Sequence, residues 1–129
     1  MKKGFQTLLD EANAEIKALS PQEAEKFLGR DDTVFVDLRE APELEREGTI
    51  PGALHAPRGL LEFWIDRDSP YHKPIFSSGK SFIFYCAGGK RSTLATKTAQ
   101  DMGLGPVTHI TGGIEGWRDA GLSTEPWKP

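Results

Sequence analysis

Phe82-Ile83-Phe84-Tyr85-Cys86-Ala87-Gly88-Gly89-Lys90-Arg91-Ser92 is the stretch that decides how the chain reads. Four apolar or aromatic residues suited to a buried strand run into the only cysteine, then into a Gly-Gly turn and two cations. Ser92 to Met102 follows with the composition of a helix. A cysteine at the C-terminal end of a buried strand, facing a helix start, occupies the crevice where open α/β sheets take ligands. The spacing therefore predicts a parallel α/β architecture with its chemistry at Cys86.

Backbone N–H groups in a tight loop entering a helix lack intrahelical partners, so they converge on the loop centre and favour negative charge there. Gly88 and Gly89 let the backbone curl, while Lys90 and Arg91 add positive potential. Both effects favour a thiolate at Cys86, the reactive form of cysteine. A lone buried cysteine is ordinarily an inert core residue. The residues that follow this one turn the reading towards a nucleophile set in an anion-receiving loop.

Cys86-Ala87-Gly88-Gly89-Lys90-Arg91-Ser92 resembles the active-site loop of rhodanese-type sulfurtransferases. Three further segments match that family in order: Val36-Asp37-Leu38-Arg39-Glu40, Gly48-Thr49-Ile50-Pro51-Gly52-Ala53, and Gly112-Gly113 followed by Trp117, Ala120 and Gly121. The match runs roughly from Ile16 to Pro126. It implies an α/β, rhodanese-like three-layer fold, a mostly parallel sheet of about five strands with helices on both faces. It implies a two-step cycle in which Cys86 takes sulfane sulfur from a donor such as thiosulfate and passes it to a thiophilic acceptor. A covalent intermediate of this kind divides one difficult transfer into two easier ones. In this reading the amides of Ala87, Gly88, Gly89, Lys90, Arg91 and Ser92 stabilise the persulfide, and Arg91, with Lys90 or without it, orients an anionic donor. Asp37 and Arg39 are supporting residues near the loop, read first as an ion pair holding loops together, with anion binding as a second role for Arg39. No cofactor and no metal are implied.

With 129 residues the chain is read as one domain of ordinary size, 1–129. Sixteen Lys and Arg stand against nineteen Asp and Glu, a net charge of −3 that recruits neither nucleic acid nor a membrane surface. One cysteine forms no internal disulfide, and three scattered histidines do not resemble a zinc site. No apolar run approaches the ~20 residues of a membrane span. Met1-Lys2-Lys3 leads into polar residues, so a cytoplasmic protein is the expectation.

Apolar residues at Phe5, Leu8, Leu9, Ala12 and Ile16 fall at helical spacing, giving an amphipathic N-terminal helix over 1–15 that packs on its own domain. A short strand around 16–19 precedes Ser20-Pro21-Gln22-Glu23, a capping box with proline at the first helical position, and Gly29 closes that helix. Thr33 to Leu38 is a core strand, and 42–48 a charged surface helix. His55, in the strand Ala53 to Ala56, is read as structural rather than catalytic. The long 58–80 connection is expected to cover one side of the site through Trp64, Tyr71 or His72. Leu94, Ala95, Ala99 and Met102 are expected to form the buried face of the helix after the loop. Val107 to Ile110 is the last strand, Trp117 a packing anchor, and 123–129 a loosely held tail.

Two other readings compete. Cysteine-dependent phosphatases and arsenate reductases also place a thiolate in an anion-binding loop, but with five residues between cysteine and arginine; here four intervene. A persulfide carrier or regulatory module would instead act on a protein partner. The partners implied are a small anionic sulfur donor and a thiol or cyanide acceptor, with a protein acceptor as a further option.

Overall fold

The computed structural model describes residues 1–129. Five strands form one sheet in the order β1-β5-β4-β2-β3, every adjacent pair parallel. They are β1 (Ala18–Leu19), β2 (Thr33–Asp37), β3 (Leu54–His55), β4 (Ser81–Tyr85) and β5 (Val107–Ile110). Six helices alternate with them: α1 (Phe5–Asn13), α2 (Pro21–Glu25), α3 (Ala41–Glu47), α4 (Leu61–Ile65), α5 (Lys90–Asp101) and α6 (Gly113–Asp119). No helix is long and apolar enough to cross a membrane.

β4 is central because both its faces are apolar, as a strand covered on two sides requires. Alternation sends Phe82 and Phe84 into one core with Val36, Leu38, Leu61, Ala95, Ala99 and Val107. Ile83 and Tyr85 enter the other, with Phe35, Ile110, Ile114 and Trp117. Trp117 is fully buried and donates its indole N–H to the Ser123 carbonyl at 2.8 Å, the anchoring role expected of it. The capping box at Ser20 forms as predicted: Ser20 Oγ accepts from the Glu23 amide at 3.1 Å, and Glu23 Oε1 accepts from the Ser20 amide at 2.9 Å.

Three expectations are corrected. The buried face of α5 consists of Ser92, Thr93, Ala95, Thr96 and Ala99, while Leu94 is half-buried and Met102 is exposed. Small side chains let the helix lie close to the sheet, which an apolar tally of the sequence does not reveal. In α1 only Leu9 and Ala12 are buried, and Phe5 and Leu8 stay exposed, so half of the apolar stripe is used. That helix packs along α5 in the same direction, Phe5 beside Lys90 at one end and Glu15 beside Lys97 at the other.

The C-terminal segment is not a loose tail. Thr49 and Glu125 exchange both main-chain hydrogen bonds at 2.9 Å, Glu125 Oε1 accepts from the Gly52 amide at 3.2 Å, and Trp127 packs edge-on against His55. A bridged backbone and a seated indole hold what its proline content alone would leave free.

Candidate active site

The alternation of β4 carries Cys86 towards α5, where it is 1% exposed. Its sulfur accepts from the amides of Gly89 at 3.2 Å and Ser92 at 3.4 Å, and lies 3.6 Å from Ser92 Oγ. This convergence follows from local rules. Gly89 caps α5 with φ +109°, a conformation that side-chain-bearing residues rarely adopt, and so aims its own N–H and the first turn of the helix at the sulfur. The Gly89 carbonyl faces the other way, accepting from Ser92 Oγ at 3.1 Å and Thr93 Oγ1 at 2.8 Å.

The start of α6 holds the loop from outside. Amides of Ile114 and Glu115 donate to the carbonyls of Cys86 (2.9 Å) and Ala87 (3.1 Å), turning these acceptors away from the sulfur. Gly113 makes the approach possible: a Cβ on it would lie 2.4 Å from the Cys86 oxygen. The surroundings of the sulfur are therefore rich in donors and poor in acceptors.

The structure separates the two cations of the loop. Arg91 is bound on two prongs to Glu43 of α3, both at 2.9 Å, which holds the Glu43 carboxyl down at about 2 and reinforces the charge on Arg91. Cys86 is among the groups whose attraction supports that charge. Lys90 is exposed, its Nζ 5.9 Å from the centroid of the Phe5 ring. Ala87 and Gly88 form the outer lip, half-buried and exposed.

Asp37 and Arg39 form a fully buried ion pair beneath the neighbouring loops. Arg39 donates to Asp37 Oδ1 at 3.0 Å and Oδ2 at 2.8 Å, to the Gly48 carbonyl at 2.7 Å and to Glu47 at 3.4 Å. Burial opposes the guanidinium charge, but Asp37, with Tyr85 and Glu47, more than offsets it. Thr49 Oγ1 joins Asp37 at 3.1 Å to the Tyr85 hydroxyl at 2.8 Å, and burial pushes that phenol well above its ordinary range. With four of its five guanidinium N–H groups engaged here and its side chain fully buried, Arg39 has the arrangement of a structural clamp rather than of an anion receptor. His55 Nε2 lies 2.7 Å from the Arg39 carbonyl, on the edge strand β3.

Trp64, Tyr71 and His72 do not join the loop. Trp64 takes Lys73 over its ring at 5.1 Å, Tyr71 packs edge-on to Phe63, and His72 bonds Ser77 Oγ at 3.1 Å. Two residues that do join it were not anticipated. Glu43 stands in a run read as surface, 48 positions before Arg91, and nothing local announces it. His109 is buried on β5 with Nδ1 3.0 Å from Ser92 Oγ; a histidine sharing the face of Val107 in an apolar strand was the available signal.

The rhodanese-like domain model matches residues 20–120. Some relatives are named sulfurtransferases and others tRNA uridine(34) hydroxylases. Thiosulfate sulfurtransferase/rhodanese-like domain-containing protein 3 of Mus musculus is 27% identical over 114 residues, covering 84% of this chain and 73% of that protein. Thiosulfate:glutathione sulfurtransferase of Homo sapiens is 30% identical over 76 residues, covering 54% of this chain and 66% of that one. Among solved structures, a Rhodopseudomonas palustris protein of unknown function, named a possible tyrosine phosphatase, superposes with a TM-score of 0.93 at 54% identity over 97% of this chain and 96% of that one. The family model spans far more than half of the residues and includes Cys86, Arg39 and Gly113, and this chain belongs to the rhodanese-like domain family.

Proposed function

We propose that residues 1–129 act as one sulfurtransferase domain, moving sulfane sulfur from a donor such as thiosulfate to a thiophilic acceptor through a persulfide on Cys86. The thiolate attacks the outer sulfur of thiosulfate. The bond from that sulfur to the sulfonate sulfur breaks, and sulfite leaves with the electron pair. A thiol or cyanide then takes the outer sulfur, releasing thiocyanate in the second case and restoring the thiolate. The observation that carries this reading is the pair of amides, Gly89 and Ser92, aimed at Cys86 Sγ from 3.2 and 3.4 Å. Such donors stabilise an anionic sulfur before the reaction begins, so nothing has to reorganise during transfer. A single thiol that has to stay reduced fits the cytoplasm.

The name of the Rhodopseudomonas palustris neighbour raises phosphate-ester hydrolysis as a rival. Against it stand the four residues between Cys86 and Arg91, one fewer than in the phosphatase loop. A relay that serves only a protein acceptor uses the same persulfide and differs in its second step.

Intact-mass analysis before and after thiosulfate, beside Cys86→Ser, tests the proposal. Wild type should gain one sulfur atom and discharge it to cyanide as thiocyanate, and Cys86→Ser should gain none. A Cys86→Ser protein with full transfer activity, or aryl-phosphate hydrolysis by wild type at rates comparable to sulfur transfer, would overturn it.

A further inference from the structure

Ser92 Oγ lies between two titratable groups, Cys86 Sγ at 3.6 Å and His109 Nδ1 at 3.0 Å, all three buried. We propose that His109 is a positioning residue for Cys86: it takes the cysteine proton through the Ser92 hydroxyl, so that the tautomer of the ring and the charge of the sulfur change together. The inference rests on Cys86 being the nucleophile.

A hydroxyl has one proton, and here it also has the Gly89 carbonyl within reach at 3.1 Å; that carbonyl accepts from Thr93 Oγ1 at 2.8 Å and from the Thr93 amide at 3.0 Å as well, so it keeps partners when the Ser92 hydroxyl turns to His109 or to the sulfur. In the thiol form, S–H donates to Oγ, and O–H points to Nδ1, with the ring proton on Nε2. A thiolate has no proton to give, and beside the Gly89 and Ser92 amides it draws the hydroxyl in as a third donor. Nδ1 would then face an oxygen lone pair unless it carried a proton itself. The change balances in three moves. The S–H proton passes to Oγ, the former Oγ proton passes to Nδ1, and the Nε2 proton leaves to solvent. The site loses one proton in all and retains a neutral ring.

The surroundings permit this sequence and offer the ring no other ionic partner. On β4 its neighbour is Phe84, and on β1 it is Ala18, with the Lys17 carbonyl accepting the His109 amide at 3.3 Å. The Lys17 residue is exposed. Of the charged groups on the flanking helices, Lys97 of α5 is paired to Glu15, beyond the end of α1, at 2.6 Å, and Arg91 is held by Glu43. Burial alone lowers the pKa of His109, so a charged ring is only a transit state. The sealed polar atoms without partners are His72 Nδ1 and Thr96 Oγ1; His109 Nε2 is not among them, which leaves the ring an outlet for its proton.

Two measurements on the full chain test the coupling. The first follows the imidazole ¹⁵N shifts of His109 in wild type and Cys86→Ala across the alkylation midpoint of Cys86. Nδ1 should change from acceptor-like to protonated with that same midpoint, and only when the cysteine is present. The second is the pH profile of Cys86 alkylation by iodoacetamide. His109→Asn keeps a polar group facing Ser92 but cannot pass a proton, so its midpoint should rise by about one pH unit, slowing alkylation at neutral pH roughly tenfold. A ring tautomer indifferent to the state of Cys86, together with superimposable alkylation profiles, would overturn the proposal. Neither readout uses a sulfur donor. A failure to take sulfur from thiosulfate would count against the sulfurtransferase reading and leave the coupling to be decided by these results.

Discussion

Glu43 and Arg91, 48 residues apart in sequence, meet through two hydrogen bonds of 2.9 Å at the edge of the loop that holds Cys86. The pair neutralises the cation nearest the reactive sulfur in sequence after Lys90 and occupies the guanidinium face an anionic donor would use. If the proposed function holds and Arg91 receives the donor, Glu43 competes with the donor for that face. Glu43→Gln should lower KM for thiosulfate about fivefold, the equivalent of roughly 1 kcal/mol for one charge-assisted hydrogen bond returned to the substrate. A KM that stays constant or rises would remove Arg91 from donor binding.

The pH dependence of that competition has a definite sign. Arg91 holds the Glu43 carboxyl at about 2, below its ordinary 4.5. A depressed carboxylate contributes above its unfolded value and loses that contribution only as pH falls through the folded one. The KM ratio of wild type to Glu43→Gln should therefore be flat from pH 5 to 8. A ratio that falls towards unity below pH 6 would show that the pair is already opening there.

What the sequence made legible was local. The capping box at Ser20, the apolar run of β4, the Gly-Gly turn and the strand at 107–110 each depend on neighbours a few positions away, and each has its expected structure. Contacts closed by the fold were not legible. Glu43 reaches Arg91 only because α3 returns beside the loop, and His109 reaches Ser92 because β5 lies next to β4 under α5. The small-residue face of α5 and the bridge from Thr49 to Glu125 are likewise products of close packing between distant segments.

Arg39 and Asp37 predict a large stability effect with no direct chemical role. Both side chains are fully buried, and Arg39 also ties Gly48 to the cluster. Arg39→Met leaves the Asp37 carboxylate without its counter-ion and should cost about 3–5 kcal/mol in urea unfolding. Adding Asp37→Asn should recover part of that loss. If the single variant unfolds at the wild-type midpoint while KM for thiosulfate rises severalfold, Arg39 is an anion receptor and not a clamp.

The C-terminal segment makes a sharper distinction between pinned and loose. Glu125→Pro removes the amide that donates to Thr49, and its side chain no longer meets Gly52. A pinned segment predicts a loss of about 1–3 kcal/mol, the cost of stranding a partly buried acceptor. A truly loose tail predicts none, and equal unfolding midpoints for the two proteins would restore that view.

Gly113 is where fold and site constrain each other most tightly. Its φ is +60°, and a Cβ there would fall 2.4 Å from the Cys86 oxygen and 2.5 Å from the Ala87 oxygen. Gly112 next to it has φ +77°, yet a Cβ would meet nothing closer than Gly116 Cα at 3.5 Å, an ordinary contact. Alanine at Gly112 therefore incurs only backbone strain, about 1–3 kcal/mol. Alanine at Gly113 incurs the same strain and must also push α6 away from the loop carbonyls, breaking the bonds from Ile114 and Glu115 that turn them from the sulfur. Gly113→Ala should be the less stable of the two in denaturant. Measured well below its unfolding temperature, it should also alkylate at Cys86 more slowly at neutral pH, because freed carbonyls can swing towards the sulfur and disfavour its charge. Gly112→Ala should keep the wild-type alkylation rate. Equal stabilities and equal rates in the two variants would mean that α6 does not orient the loop.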